Sequence, residues 1–346
     1  MGLVLWCAAM FFERKPNGII HHVSNADAGT GATTLRRPRV IFFGIRCRMS
    51  LGPLVSLIER GVEIRAVVIP APRVHGRPVS PISSAIPRMS HAFLPLAVPG
   101  KSETIDQVAA RHGIPVLQAG SLHHPRTIDT LRALEADVIA VSCFPKRLPP
   151  SLLEIAPLGA LNLHPSLLPA YRGPDPLFWT FRDGERKSGV TVHLMTAELD
   201  AGDIVSRRAI DLPEGIGGDA LEEQCAEIGG ELLADAVWVL WEGTARRRSQ
   251  DEREATYQPW PSTSDLVIDP GWSARRAFNF VRGVIPLGYT PVIETGTGRL
   301  AVSGALGFDE HAVLDKKIAI DGRELAVQCD PGVLYLTVSE SGERDG

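Results

Sequence analysis

Three side chains suited to acyl transfer recur at defined places in this chain. Asn162 and His164 are two residues apart in a segment that reads as a strand, so both side chains point from one face. An amide and an imidazolium can donate hydrogen bonds to a tetrahedral oxyanion, and histidine also titrates near neutral pH. Further along the chain, the carboxylate of Asp200 would orient the ring and favour its charged form. The pattern predicts acyl transfer to a nucleophile held nearby, without a serine or cysteine nucleophile.

Plainer explanations exist for several of these positions. Taken alone, an Asn-x-His pair before a proline is typical of a capped strand end. Asp200 and Asp203 flank a glycine and could both form turns, and we assign that role to Asp203. His193 lies on an alternating apolar strand, which favours a packed or hydrogen-bonded histidine. A metal site made of His164, His193 and Asp200 lacks the short paired spacing of zinc ligands, so we expect no metal.

The segments around these residues resemble the folate-dependent formyltransferases. Two segments carry the resemblance: Ala-Leu-Asn-Leu-His-Pro-Ser-Leu-Leu-Pro-Ala-Tyr-Arg-Gly-Pro at 160–174 and Leu-Asp-Ala-Gly-Asp-Ile at 199–204. In that family an Asn, a His two residues later and an Asp before Ala-Gly or Thr-Gly carry the chemistry. By resemblance, Asn162, His164 and Asp200 are therefore catalytic.

The resemblance extends from about Arg39 to the region after Tyr257 and implies a donor, 10-formyltetrahydrofolate, used as a co-substrate. It also implies that the formyl group passes to a primary amine. The implied folate contacts fall on two loops: Phe144, Pro145 and Leu148 on the first, and Ser166, Leu167, Leu168 and Pro169 on the second.

Several acceptors are known in the family, and the sequence favours one of them. The two-domain layout and a proline-rich loop from Pro70 to Lys101, basic and without Asp or Glu, most resemble the methionyl-tRNA formyltransferases. Against this, residues 256–346 carry more acidic than basic groups. Such a region is a poor phosphate binder unless its arginines, Arg275, Arg276 and Arg282, gather on one face. The alternatives are an amino-sugar nucleotide as the acceptor, hydrolysis of the folate donor, and folate binding without turnover.

Hydrophobic patterning predicts the elements that position the site. Strands and helices alternate from a buried strand at Arg39 to Cys143, which predicts an α/β fold with a Rossmann-like, mostly parallel sheet. Gly44-Ile45-Arg46-Cys47 is not a dinucleotide-binding loop, so NAD is not expected. A helix over 219–240 is predicted to pack on the sheet through one face: Leu221, Cys225, Ile228, Leu232, Ala236 and Val239.

Composition and turn signals predict four segments. Residues 1–38 read as a poorly ordered extension, 39–243 as the catalytic domain and 244–261 as a charged, proline-containing linker. Residues 262–346 contain short β-like runs separated by glycine turns. They resemble the small, open OB-like barrel that follows the catalytic domain in the family.

The overall composition limits where this protein works. It has 346 residues with 44% hydrophobic content, and no apolar run approaches the roughly 20 residues that span a bilayer. The net charge of −4 gives no global basic field, so contact with nucleic acid requires a local patch. Five cysteines without paired spacing favour a reducing compartment. We therefore expect a cytoplasmic enzyme without a membrane partner.

Overall fold

A computed structural model describes residues 36–71, 79–81, 103–296 and 298–339. Nearly all of the predicted extension and of the basic loop therefore lies outside the described residues.

The first part of the chain alternates strands with helices, as predicted. Its elements in order are β1 Arg39–Phe43, α1 Arg48–Glu59, β2 Glu63–Pro70, β3 Ser80–Pro81, α2 Ile105–Arg111, β4 Val116–Ala119, α3 Pro125–Arg132, β5 Val138–Ser142, α4 Pro150–Leu153, β6 Ala160–His164, α5 Pro176–Arg182, β7 Lys187–Leu194 and β8 Ile204–Asp211. β5 is buried at every position and β1 at every position after Arg39, because helices cover both faces of the sheet.

These strands form one sheet in the order β3-β4-β2-β1-β5-β6-β7-β8. The pairs from β4 to β6 are parallel, which confirms the Rossmann-like prediction. β7 and β8 add to the sheet as antiparallel strands. The register between β6 and β7 places Asn162 opposite His193.

The long helix α6, Gly218–Trp241, packs against the sheet and against α1. Of the predicted face, Leu221, Cys225, Leu232 and Ala236 are buried, whereas Ile228 and Val239 are only half-buried. The helix also presents glycine to the sheet: a Cβ at Gly229 would lie 2.6 Å from the Leu163 side chain. In the described residues, no helix is both long enough and apolar enough to cross a membrane.

The C-terminal part is the predicted β-rich unit. Its elements are α7 Ala274–Val284, β9 Val292–Thr295, β10 Gly298–Asp309, β11 Ile318–Asp321, β12 Glu324–Gln328 and β13 Val333–Val338. The five strands form an antiparallel sheet in the order β11-β12-β13-β10-β9, and α7 packs on β10 and β13. The predicted domain and linker boundaries remain predictions.

Aromatic rings join this β-rich unit to the larger sheet domain. Phe178 of α5 contacts Phe280 of α7 and Tyr289, with ring centroids 6.0 and 4.7 Å apart. Arg276 Nη2 donates to the Arg182 carbonyl at 2.8 Å. Through these contacts, Tyr289 reaches a cavity that lies at the carboxyl ends of the parallel strands.

Candidate active site

A cavity of about 1080 Å³ opens at the carboxyl ends of β5 and β6. Asn162, His164 and Asp200 all line it, although Asp200 comes from the turn between β7 and β8. Open parallel sheets commonly bind ligands at this edge. The structure thus brings the three predicted catalytic residues into one pocket.

The ring of His164 is held by a backbone carbonyl. Its Nε2 lies 2.8 Å from the Tyr171 oxygen, and since a carbonyl only accepts, Nε2 carries the proton. Nδ1 lies 3.8 Å from Asp200 Oδ2, too far for a hydrogen bond. Burial lowers the pKa of His164, and the nearby Asp200 charge only partly offsets this effect. The site therefore favours a neutral imidazole with Nδ1 free to accept a proton, in contrast to the charged ring expected from the sequence.

Asp200 is a buried carboxylate that stays ionised. Burial by itself would raise its pKa, but the neighbouring imidazoles of His164 and His193 and the hydrogen bond from the Gly173 amide outweigh burial and lower it. The Gly173 N–H donates to Oδ2 at 2.9 Å. Asp200 therefore supplies a fixed negative charge beside the imidazole of His164.

Asn162 connects this carboxylate to a second histidine. Its Nδ2 lies 3.2 Å from His193 Nε2 and 3.4 Å from Asp200 Oδ1. His193 Nδ1 lies 2.9 Å from the Leu194 carbonyl and so carries the proton, which leaves Nε2 to accept from Asn162. Both contacts of Nδ2 are long for N–H hydrogen bonds, so this amide can turn a hydrogen towards a ligand oxyanion at little cost.

His193 is the member of the cluster that the sequence did not assign to the site. The hydrogen-bonded role expected for it is what the structure gives, but its partners are Asn162 and, at 3.5 Å, Asp200. The alternating apolar pattern of β7 indicates burial and cannot indicate which residue lies opposite on β6. Only the antiparallel register places the two polar side chains together.

The loop after His164 is fixed by a buried arginine. Arg172 is fully buried and bonds Glu252 through both Nη atoms, at 2.9 and 2.7 Å, and Gln250 through Nε and Nη2. Its guanidinium also lies 5.1 Å from the ring centroid of Tyr257. These contacts hold the backbone on both sides of Arg172, including the carbonyl that orients His164.

Two glycines are required where backbone segments cross. A Cβ at Gly173 would lie 2.1 Å from the Gln258 carbonyl oxygen, and its φ of +122° is unfavourable for other residues. A Cβ at Gly202 would lie 1.9 Å from the Leu194 oxygen. The Arg-Gly and Asp-Ala-Gly sequences thus allow the close approach that carries Asp200 to the pocket. Asp203, expected to form a turn, accepts a 2.8 Å hydrogen bond from Ser249.

The predicted folate residues divide into two groups. Phe144, Pro145 and Leu148 line the cavity, on a loop that Lys146 Nζ ties to the carbonyls of Ala119 and Gly120. The second group does not line the cavity: Ser166, Leu167, Leu168 and Pro169.

The residues of the second group brace the loop instead. Ser166 Oγ donates to the Ala170 carbonyl at 2.8 Å, and the Leu168 amide donates to Thr191 Oγ1 at 3.2 Å. Leu168 is completely buried. These contacts position the backbone that leads to Tyr171.

The wall of the cavity on the α6 side carries acidic side chains. Asp175 accepts hydrogen bonds from the Tyr289 hydroxyl and from the Phe178 amide at 3.3 Å. Glu222 of α6 also lines this wall. At the mouth, Tyr257 and Trp260 leave more than half of their surface exposed. In the residues the structure covers, no group of three or more His, Cys, Asp or Glu side chains is placed to hold a metal ion.

A Rossmann-like sheet with an amide, an imidazole and a carboxylate in one pocket defines a class of group-transfer enzyme, and sequence comparisons identify the family. Residues 84–237 match the family model described as formyl transferase. A methionyl-tRNA formyltransferase of Citrifermentans bemidjiense is 34% identical over 248 residues, covering 72% of both chains. One of Clostridioides difficile is 38% identical over 182 residues, covering 53% of this chain and 59% of the relative.

Comparison of structures supports the same fold. The N-formyltransferase from Helicobacter canadensis superimposes with a TM-score of 0.61 at 12% identity, covering 88% of this chain and 99% of that one. That protein was crystallised with folinic acid and dTDP-3-aminofucose. This chain belongs to the formyltransferase family. It is a folate-dependent formyltransferase whose co-substrate is 10-formyltetrahydrofolate.

Proposed function

We propose that this enzyme transfers the formyl group of 10-formyltetrahydrofolate to the amino group of initiator methionyl-tRNA, in the cytoplasm, for protein biosynthesis. The observation that carries the proposal is that Asn162, His164 and Asp200 share one pocket in a chain that is similar to several proteins named methionyl-tRNA formyltransferase. Three of these relatives each match 72% of this chain at 32–34% identity.

The neutral His164 suits a proton shuttle. After the acceptor amine attacks the formyl carbon, the new C–N bond leaves a positive charge on the attacking nitrogen and a negative charge on the oxygen. His164 Nδ1 takes the proton from that nitrogen and returns it to the departing folate nitrogen, whose bond to the formyl carbon then breaks. Asp200 stabilises the imidazolium while it exists.

Asn162 is proposed to stabilise the oxyanion. Its Nδ2 lies in the pocket and makes only long contacts to His193 and Asp200. A donor that is already in the pocket and only weakly engaged needs little reorganisation to bind the oxyanion during the reaction. On this proposal, Phe144, Pro145 and Leu148 form the folate side of the pocket.

The C-terminal arginines give no independent support to tRNA binding. Arg275 is paired with Glu310 and Glu214, Arg276 donates to the Arg182 carbonyl, and Arg282 donates to the Gly215 carbonyl. In the described part of the chain, these three arginines therefore do not gather into an unpaired basic face. Phosphate contacts are thus assigned to the basic loop from Pro70 to Lys101, which stays a prediction from the sequence.

The identity of the acceptor is tested by supplying candidate acceptors in separate reactions. The purified enzyme is supplied with 10-formyltetrahydrofolate and either charged initiator tRNA, a panel of amino-sugar nucleotides, or no amine. Rapid, saturable formylation of methionyl-tRNA supports the proposal. If only a sugar nucleotide is formylated, the acceptor is an amino-sugar nucleotide and the proposed acceptor is wrong. Release of formate without any amine would instead identify a hydrolase.

A further inference from the structure

One carboxyl group in the cavity is not used by the chemistry above. Glu222 lies in the first turns of α6, lines the cavity and is only 5% exposed. Its Oε1 has no hydrogen-bond partner among the residues that the structure describes. Burying a carboxyl oxygen without a partner is costly, so such a group in a pocket points to a ligand that supplies the missing donor.

The charges that face Glu222 come from several elements. Burial raises its pKa to about 7; Arg48 of α1 opposes this shift, while Asp175 and Asp219 reinforce it. The thiols of Cys47, Cys143 and Cys225 are also close enough to interact with it. The carboxyl group therefore changes protonation near neutral pH, as proton-transfer groups in active sites often do.

Asp175 is another carboxyl group that lines the cavity, but its oxygens already accept hydrogen bonds from Tyr289 and Phe178. The other lining residues on this side, Met49, Leu177 and Leu287, are apolar. Glu222 is thus the group on this wall with an unfilled acceptor oxygen. The wall fits a ligand with an N–H donor or ammonium attached to an apolar body.

Glu222 also lies away from the expected folate loop. Phe144 packs against Phe43 in the core on one face of the sheet, whereas α6 packs on the opposite face. The cavity therefore reaches from the folate loop on one side to Glu222 on the other. This arrangement gives the amine acceptor, not the folate, access to Glu222.

We propose that Glu222 binds the ammonium group of the acceptor and removes its first proton. The proposal rests on the proposed function only in requiring an amine acceptor. The carboxylate becomes a carboxylic acid as the ammonium becomes the free amine, which then forms the bond to the formyl carbon. The second proton moves through His164 to the departing nitrogen, and Glu222 later releases its proton to water. One proton is thus released in each turnover, as the conversion of an ammonium ion to an amide requires.

The test compares Glu222→Gln with Glu223→Gln, an exposed neighbour on the same helix. The steady-state constants of both variants are measured from pH 5.5 to 8.5 with the best amine acceptor. We expect kcat/KM for the acceptor to fall at least about 10-fold in Glu222→Gln, with the KM of the folate donor unchanged. Glu223→Gln should behave as wild type.

The pH profile separates this role from a structural one. In wild type, kcat/KM for the acceptor should fall below about pH 7 as Glu222 becomes protonated, and this limb should be absent in Glu222→Gln. Binding of methionyl-tRNA without the donor should also weaken in the variant at pH 8. A folded Glu222→Gln with wild-type kcat/KM and an unchanged acid limb overturns the inference. Absence of formylation of every amine by the wild-type enzyme overturns the proposed function instead.

Discussion

At the scale of single residues, the chemistry depends on which atom of each side chain is free. Hydrogen bonding to the Tyr171 carbonyl occupies His164 Nε2 and leaves Nδ1 for proton transfer. The Asp200 charge lies 3.8 Å from Nδ1, close enough to stabilise a transient imidazolium without holding the ring charged in the resting state. The residue types are readable from the sequence, whereas this choice of tautomer follows only from the loop that carries Tyr171.

Replacing His164 by alanine should lower kcat at least ~100-fold, because the proton shuttle between the two nitrogens is lost. Binding of the folate donor should be largely kept, since the predicted folate residues that line the cavity lie on the loop of Phe144. The measurement is single-turnover formylation together with donor binding by fluorescence. His311→Ala, on an exposed loop of the C-terminal unit, serves as the control. A variant His164→Ala with near-normal turnover would remove this residue from the chemistry.

Ionisation of Asp200 should stabilise the fold, whereas ionisation of Glu222 should destabilise it. The pKa of Asp200 is lowered by folding, so its carboxylate stabilises the fold above the usual carboxyl range, and this contribution is lost as the pH falls below that range. The pKa of Glu222 is raised to about 7, so its ionisation destabilises the fold as the pH rises from the unfolded value near 4.5 through 7.

At pH 8, Asp200→Asn should therefore lower Tm and Glu222→Gln should raise it. Both differences in Tm from wild type should become smaller in acid. The difference for Glu222→Gln should disappear by about pH 5, and the difference for Asp200→Asn should decrease only below pH 3.8. Each kcal/mol of stability should shift Tm by about 2–4 °C. Thermal unfolding monitored by circular dichroism across this range is the measurement. A lower Tm for Glu222→Gln at pH 8 would contradict the burial of an unpartnered carboxylate.

At the scale of elements, the spacing of apolar residues along the chain predicted most of the helices and strands. β1 after Arg39 and β5 up to Val141 are continuous apolar runs, and the predicted helix over 219–240 matches Gly218–Trp241 within one residue at each end. The antiparallel addition of β7 and β8 was beyond this reasoning, because β8 carries exposed Arg207 and Arg208 and lacks a buried run. The role of His193 was missed for the same reason: strand register depends on the partner strand, not on local pattern.

The turn that carries Asp200 offers a test at this scale. Gly202→Ala should displace the turn, because its Cβ would come within 1.9 Å of the Leu194 oxygen, a backbone atom that cannot move aside cheaply. We expect a lower Tm and a loss of kcat of ~10-fold or more, as the Asp200 carboxylate moves away from His164. Gly307→Ala in β10, where a Cβ meets no atom within 4 Å, is the matched control. Equal Tm and kcat in both variants would show that the turn tolerates a side chain.

At the scale of the whole molecule, the C-terminal unit is a structural support for the pocket. Tyr289 donates to Asp175 on the cavity wall. The guanidinium groups of Arg182 and Arg276 lie over the ring of Trp272, 4.4 and 4.3 Å from its centroid. The arginines that the sequence offered as a phosphate surface are engaged in these internal contacts and in pairs with Glu310 and Glu214. A unit with this charge pattern is suited to hold the acceptor wall in place and poorly suited to bind an RNA backbone.

If the proline-rich loop contacts phosphates and the C-terminal unit does not, the two regions should differ in their effect on the salt dependence of tRNA binding. Each phosphate contact contributes about 0.7–0.9 to the slope of log affinity against log salt, so removing a contact reduces the slope by that amount. Replacing the exposed Lys316 and Lys317 of the C-terminal unit by serine should leave both affinity and slope unchanged. Replacing the four basic residues of the proline-rich loop, Arg73, Arg77, Arg88 and Lys101, by serine should reduce the slope and raise KM for methionyl-tRNA, with the donor KM unaffected. A slope reduced by the C-terminal pair and not by the loop would reverse this assignment of the two regions.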